Sequence, residues 1–190
     1  ALQPLLPAPQ VVELPVPLEA GQDPRDVSLA RLTWVWTEGI SLEESLLGEL
    51  VDLLLLGHAG APLRLALESS GLGRAVSGSG FHPVGRNGVF GLGLKGIDPK
   101  DAPAMESLIM ERLAAVAQEG FPAAELDAAL HQLELAQRTI SGDRFPFGLD
   151  LAMRATEAWI FDQDPLGFLD MGDALDRLRA KVNAEGFWPA

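Results

Sequence analysis

One short pattern in the sequence resembles half of a zinc site. His131 and Glu134 are spaced as the first His and the Glu are in the inverted zinc motif H-x-x-E-H, but Leu135 replaces the second His. In that motif two His on one helix face hold the metal and the Glu acts as general base. Catalytic zinc takes three protein ligands and a water. We therefore interpret His131 as a surface residue, and we predict no catalytic residue and no metal site in this chain.

A second pattern, from Gly91 to Gly96, matches G-x-G-x-x-G to the letter. In dinucleotide-binding folds these glycines form the turn between a strand and a helix, where backbone N–H groups meet the pyrophosphate. Here the alternation of Phe90, Leu92 and Leu94 with glycine predicts a strand instead. The next helix start, Asp98 followed by Pro99, comes later. We predict no nucleotide cofactor.

Small residues from Ser77 to Gly80 form a candidate site of another kind. They lack the spacing of the nucleophile elbow G-x-S-x-G. In a strand they would leave backbone N–H and C=O groups accessible, so a peptide could add to that edge by β-augmentation. A tight hairpin packed under a helix is the alternative interpretation. The other histidines are interpreted as a residue near a helix C-terminus, His58, and an exposed hairpin residue, His82.

The composition excludes several classes of protein. With 190 residues, 47% hydrophobic content and a net charge of −13, the chain suits one acidic globular domain. Such a charge repels phosphate backbones and anionic membranes, so we predict no nucleic-acid and no membrane partner. The lack of cysteine fits a reducing compartment, and with no visible signal peptide it favours the cytoplasm. The absence of an initiator Met fits an excised fragment.

Local signals predict the order of the elements. Ser41 with Glu44 is a capping box, and Gly57 ends the helix that it starts. The predicted elements are a short edge strand over 11–18, a strand over 27–36, helices over 41–56 and 62–70, a hairpin over 74–82 and 87–95, and helices starting near residues 98, 122, 147 and 171.

Adjacent strands followed by runs of helices are typical of an α+β fold. We therefore predict a mainly antiparallel sheet with helices layered on one face. The expected organisation is a Pro-rich lead-in or linker over 1–26, an α+β domain over 27–169, and the truncated start of a following segment over 170–190.

Several segments together resemble the pitrilysin/insulinase-type metallopeptidases, and most closely their presequence-protease-like branch. Their order and spacing as a set carry the resemblance. The matching segments are LLLLGHAGAPL (53–63), LESSGLG (67–73), GLGLKGID (91–98), EGFP (119–122), ALHQLELAQR (129–138), RFPFGLDL (144–151) and AWIFDQDP (158–165).

The resemblance implies four related α+β domains in one long polypeptide, closing around a chamber that takes unfolded peptides. Zinc is expected in the first domain of the parent enzyme, and this chain resembles the second, non-catalytic domain. Its implied partners are the other domains and peptide substrates. In insulin-degrading relatives a glycine-bearing strand of this domain anchors the substrate. The residues here that resemble it are Ser77, Gly78, Ser79 and Gly80, with Gly57 and Gly60 nearby.

Two alternatives remain open at this point. The chain could be an inactive structural or scaffold subunit of the same fold, or an independent peptide-binding module. A piece cut from a larger enzyme is also expected to expose apolar surface, which would favour self-association. The expected exposed residues are Trp34, Trp36, Phe187 and Trp188.

Overall fold

The computed structural model describes residues 6–37, 41–84, 87–139, 146–169 and 171–188. Within these ranges the chain forms three strands, six α-helices and two short 3-10 helices, Pro24–Asp26 and Pro99–Asp101. The strands and α-helices are β1 (Leu29–Thr37), α1 (Leu42–Leu56), α2 (Pro62–Ser69), β2 (Ala75–Val84), β3 (Asn87–Lys95), α3 (Ala102–Glu119), α4 (Ala123–Arg138), α5 (Phe147–Ile160) and α6 (Gly172–Val182).

The three strands form one antiparallel sheet in the order β1-β3-β2. The central strand β3 is therefore the one with the alternating glycines, and β2 lies at an edge. Helices cover one side of this sheet, which confirms the predicted α+β class. The G-x-G-x-x-G pattern begins inside the central strand and not in a strand-to-helix turn, as predicted.

The side chains on the two faces of the sheet differ. On the covered face, Phe90, Leu92 and Leu94 of β3 are buried and pack with residues of α1, α2 and α3. The register places the other side chains of each strand on the opposite side, which we call the open face. The open-face residues are Leu29, Arg31, Thr33 and Val35 of β1, Ala75, Ser77 and His82 of β2, and Val89, Gly91, Gly93 and Lys95 of β3.

Helix α1 connects the two hydrophobic clusters of the described chain. Its start is the predicted capping box, in which Ser41 accepts from the Glu44 N–H and the Glu44 side chain accepts from Ser41. Leu55 packs in the cluster under the sheet, whereas Leu46 and Leu50 pack in a second cluster with α4 and α6. The position of α1 thus sets how the sheet and the later helices are placed.

Helix α6 packs into the second cluster through Ala174, Leu178 and Val182, all of them buried. Residues assigned from the sequence to a following segment thus share a core with α1 and α4; the proposed boundary near 170 stays a prediction. Helix α5 differs, since its residues Trp159 and Ile160 are 70% and 65% exposed.

Two local predictions are wrong, and the first concerns a strand. Residues 11–18 form no strand and are exposed, because five prolines between 4 and 17 remove backbone donors. The predicted N-cap Asp98 with Pro99 at the first position is confirmed, and the turn that it starts is a 3-10 turn leading directly into α3 at Ala102.

The second wrong prediction concerns the aromatic residues predicted to be exposed, which are instead partly buried. Trp34 packs near Phe90, and Trp36 meets Phe81 edge-on. At the C-terminus Trp188 packs against Phe121 and Phe187. These aromatic residues complete the two clusters and are not a bare surface.

Candidate functional site

The predicted substrate-anchoring residues Ser77, Gly78, Ser79 and Gly80 lie on the edge strand β2. Ser77 pairs with Gly93 and Gly80 with Gly91, so one extra residue of β2 is inserted opposite β3. This arrangement is a β-bulge, which bends an edge strand and changes the direction of its backbone groups. The structure thus places the four residues together, at an irregular point of the sheet edge.

The bulge depends on two glycines with positive φ angles, which residues with a side chain rarely adopt. Gly78 has φ 127° and Gly80 has φ 65°. A Cβ at Gly78 would lie 2.5 Å from the Gly91 carbonyl oxygen, so β2 approaches β3 closely there. A Cβ at Gly80 would collide with the Asp52 carboxylate. Both glycines of β2 are therefore required sterically: Gly78 by the close approach of β3, and Gly80 by the Asp52 carboxylate.

Asp52 of α1 is the charged group next to the bulge. Its carboxylate accepts a hydrogen bond from the Phe81 backbone N–H. Burial raises the pKa of Asp52 to about 6, and the hydrogen bond from Phe81 opposes part of that rise. Because Phe81 donates to Asp52, that N–H is not free for a peptide, and the stretch of β2 left for one lies before it, at 77–80.

The Phe81 ring fixes the far side of the bulge. It is buried beneath α1, where Gly48 provides the space because any Cβ there would meet the ring. Trp36 meets the same ring edge-on, with centroids 5.7 Å apart. An edge strand whose bulge is anchored by a carboxylate and an aromatic ring is held in place before any ligand arrives.

The two other predicted residues, Gly57 and Gly60, lie in the exposed turn between α1 and α2. Gly57 caps α1 through its N–H to Leu53 O, at φ −66°, so it ends the helix without a left-handed conformation. The atoms nearest to a Cβ at these glycines belong to Leu53 and His58. Their participation in the site on β2 stays a prediction.

Sequence reasoning missed two residues of this region. Asp52 is an acid among the leucines of α1, and that lone charge in an apolar stretch was the available signal. Arg31 alternates with apolar residues on β1, and its guanidinium lies against Gly91 of the central strand. A Cβ at Gly91 would lie 2.5 Å from Arg31 Nη2.

The half-motif on α4 has another role. His131 is exposed. The Glu134 carboxylate forms ion pairs with the guanidinium groups of Arg138 and Arg179, each with an N–O distance of 2.9 Å. No group of three or more His, Asp or Glu side chains that could hold a metal occurs among the described residues. The residues that are described therefore do not fit a zinc site. None of the described helices has the length and apolar character needed to cross a membrane.

A cleft of about 340 Å³ lies farther along β2. Pro83 of β2, the first turns of α1, the second half of α5 and the segment after α5 line it. Its wall combines the aromatic rings of Phe161 and Phe168 with the charged residues Glu49 and Arg154. The cleft begins three residues beyond Gly80 on the same strand.

Comparison with known proteins identifies the fold and the family. Residues 3–133 match the family described as Peptidase M16 inactive domain. The chain belongs to this family. It is 33% identical over 156 residues to presequence protease 1, chloroplastic/mitochondrial, of Arabidopsis thaliana, covering 82% of this chain and 14% of that relative. It is 32% identical over 131 residues to the mitochondrial presequence protease of Mus musculus, covering 68% of the chain and 12% of the relative.

Solved structures agree with this inactive-domain fold. A crystal structure of the inactive peptidase domain of a candidate zinc protease from Bordetella parapertussis has a TM-score of 0.56 at 22% identity, covering 80% of this chain and 77% of that one. A candidate zinc protease from Bordetella pertussis Tohama I gives 0.55 at 18% identity, covering 79% and 85%. The resemblance seen in the sequence is confirmed: the chain is a non-catalytic domain related to presequence proteases.

Proposed function

We propose that this inactive M16 domain forms part of the wall of a peptide-degrading chamber, and that the edge of β2 at 77–80 helps to anchor unfolded peptide substrates. The bulged edge strand carries this proposal. Its small residues place little side-chain bulk over the main chain, and its geometry is fixed by Asp52 and Phe81. Extended peptides bind such edges through main-chain hydrogen bonds.

The sheet order supports β2 as the strand that a peptide would join. Within the described residues β2 pairs with β3 on one side alone. A peptide added at 77–80 and extended along the strand would reach the cleft at Pro83 after about 10 Å, given about 3.3 Å per residue. The cleft then offers aromatic and charged groups for a side chain of that peptide.

The rest of the enzyme is also part of the proposal. The chain spans 12–14% of the length of the Arabidopsis and mouse relatives. We place zinc, with a metal-activated water and a Glu base, in a different domain of the parent peptidase, and we take its other domains as this domain's partners. The relatives are named as mitochondrial or chloroplastic proteins. A reducing, cytoplasm-like compartment is our proposal for this chain, from its lack of cysteine.

A peptide titration tests the anchoring. An extended peptide without charged residues is added to the 15N-labelled chain, and a copy with N-methyl groups on alternate residues is the control. The copy keeps the side chains but cannot pair along an edge. We expect amide shifts over 77–81 with the first peptide and none there with the second. Equal shifts with both peptides, or no shift at 77–81, would contradict the proposal.

A second test separates a peptidase wall from a scaffold subunit or an independent binding module. The reading frame upstream of Ala1 is inspected for an in-frame H-x-x-E-H motif. We expect that motif, and we expect the purified chain by itself to bind no stoichiometric zinc and to cleave no peptide. A start codon without the motif would favour the scaffold, and chelator-sensitive proteolysis by the chain alone would refute the assignment.

A further inference from the structure

We propose that the open face of the sheet is a second binding surface, which takes an extended acidic peptide segment with two carboxylates four residues apart. Arg31 and Lys95 are the groups that bind these carboxylates. This surface differs from the edge of β2, where recognition would use the main chain. It binds through side-chain charge, so the two sites can be tested separately.

Arg31 is held in a position suited to a ligand. Its guanidinium packs against the backbone at Gly91, where a Cβ would lie 2.5 Å from Nη2 and 2.7 Å from Nε. The side chain is exposed, and no ion pair among the described residues involves it. A guanidinium that rests on a glycine presents its planar fork to a carboxylate without first being ordered.

The open face as a whole is rich in hydrogen-bond donors. Its positions include Arg31, Lys95, Thr33, Ser77 and His82, and none of them is Asp or Glu. This contrasts with the whole chain, which has 27 acidic and 14 basic residues. A face that lacks carboxylates in so acidic a protein is complementary to a negatively charged ligand.

The spacing of the two cations specifies the ligand. Arg31 pairs with Gly93, but its guanidinium lies against Gly91, four residues before Lys95 on the same face of β3. Positions four residues apart on a strand are separated by about 13 Å. Side chains at positions i and i+4 of an extended peptide lie on one side with the same separation. A Glu-x-x-x-Glu segment therefore fits both cations at once, with Thr33 beside it as a donor.

The test compares two peptides of equal length that differ in charge. One carries Glu-Thr-Ser-Thr-Glu and the other Gln-Thr-Ser-Thr-Gln, and each is titrated into the 190-residue chain at about 0.15 M salt, where long-range repulsion is screened. We expect the Glu peptide to shift the Arg31 Nε–H signal and the amides of Thr33 and Lys95. The Gln peptide is expected to bind at least about tenfold more weakly, because charge-assisted hydrogen bonds are stronger than neutral ones.

Matched variants assign the effect to the face. Arg31→Gln should weaken binding of the Glu peptide about tenfold, and Lys95→Gln should weaken it less. Arg112→Gln is the control, since Arg112 is exposed on α3 at the covered side and the charge change is the same. Circular dichroism checks that each variant is folded.

Several results would overturn the inference. They are equal affinity for the Glu and Gln peptides, equal weakening by Arg31→Gln and Arg112→Gln, absence of any binding, or shifts confined to 77–81. The last result would still agree with anchoring at the β2 edge. Conversely, shifts on the open face that persist with an N-methylated Glu peptide would support this surface even where the edge fails.

Discussion

The covered and open faces of one three-stranded sheet use the same strands for different purposes. On the covered face Leu92 is fully buried between helices, and Leu94 is 1% exposed. On the open face the neighbouring positions are Gly91 and Gly93, and the main side chain there is Arg31. Apolar burial holds the sheet to its helices, whereas the glycine face contributes little buried area. Stability and recognition should therefore respond to different residues.

The largest effect should come from the covered face. Leu92→Ala removes a side chain with 0% exposure from the central strand and leaves a cavity among rigid neighbours. We expect a loss of about 2–5 kcal/mol in the free energy of unfolding. Urea unfolding followed by circular dichroism measures it. A loss below about 1 kcal/mol would mean that the cluster under the sheet is not tightly packed.

A substitution in the β2 bulge should give the next largest loss of stability, because the bulge lies between the covered and open faces of the sheet. Gly80→Ala forces a side chain into a positive φ and against the Asp52 carboxylate. We expect a destabilisation of about 1–3 kcal/mol. Gly71→Ala is the matched control, since Gly71 has φ 68° but no atom lies within 4 Å of the place that its Cβ would occupy. If both variants lose the same stability, the contact with Asp52 contributes nothing.

Asp52 should make the bulge sensitive to pH. Its pKa rises from 3.8 to about 6 on folding, so the folded chain binds this proton more tightly than the unfolded chain. The contribution of Asp52 is thus fully present below about pH 4 and is lost as the pH rises through about 6.

Asp52→Asn keeps an oxygen acceptor for the Phe81 N–H but cannot ionise. We expect its stability relative to the parent chain to rise between about pH 4 and about pH 7. Asp52→Ala should be less stable than Asp52→Asn at every pH, because the Phe81 N–H loses its acceptor. Urea midpoints across this pH range measure both differences. A stability difference between Asp52→Asn and the parent that does not change with pH would show that Asp52 titrates normally.

Periodicity and capping predicted the covered face well. The alternation of Phe90, Leu92 and Leu94 predicted both the strand and its buried side, and Ser41 with Glu44 predicted the start of α1. These signals are local, so they can be read without knowing the tertiary structure. The family resemblance drew on several segments, one of which, 91–98, contains Leu92 and Leu94, and it is confirmed by the match over residues 3–133.

The candidate site on β2 was harder to predict because it depends on the register between β2 and β3 and on how α1 packs across the sheet. The bulge exists because Ser77 and Gly80 pair with residues two apart, and a period-two pattern does not encode such a slip. Asp52 meets β2 only when α1 packs across it. The exposure of Trp34 and Trp36 was mispredicted for a related reason: the side chains that cover them come from distant elements.

Substitution of Arg31 should have the smallest effect on stability. This small effect distinguishes the open face from the covered face, where Leu92→Ala is expected to be strongly destabilising. Arg31→Gln removes an exposed charge that takes part in no ion pair among the described residues. The shorter side chain can still cover part of Gly91, so the strand keeps its pairing. We expect the unfolding free energy to change by less than about 0.5 kcal/mol.

Thermal and urea unfolding of Arg31→Gln beside Arg112→Gln measure this difference. A loss above about 1 kcal/mol for Arg31→Gln alone would mean that the guanidinium supports the sheet itself. The Arg31 guanidinium is positioned against Gly91, and we expect folding not to depend on it. A side chain that is ordered but not needed for stability is available for binding a ligand, as the proposal for the open face requires.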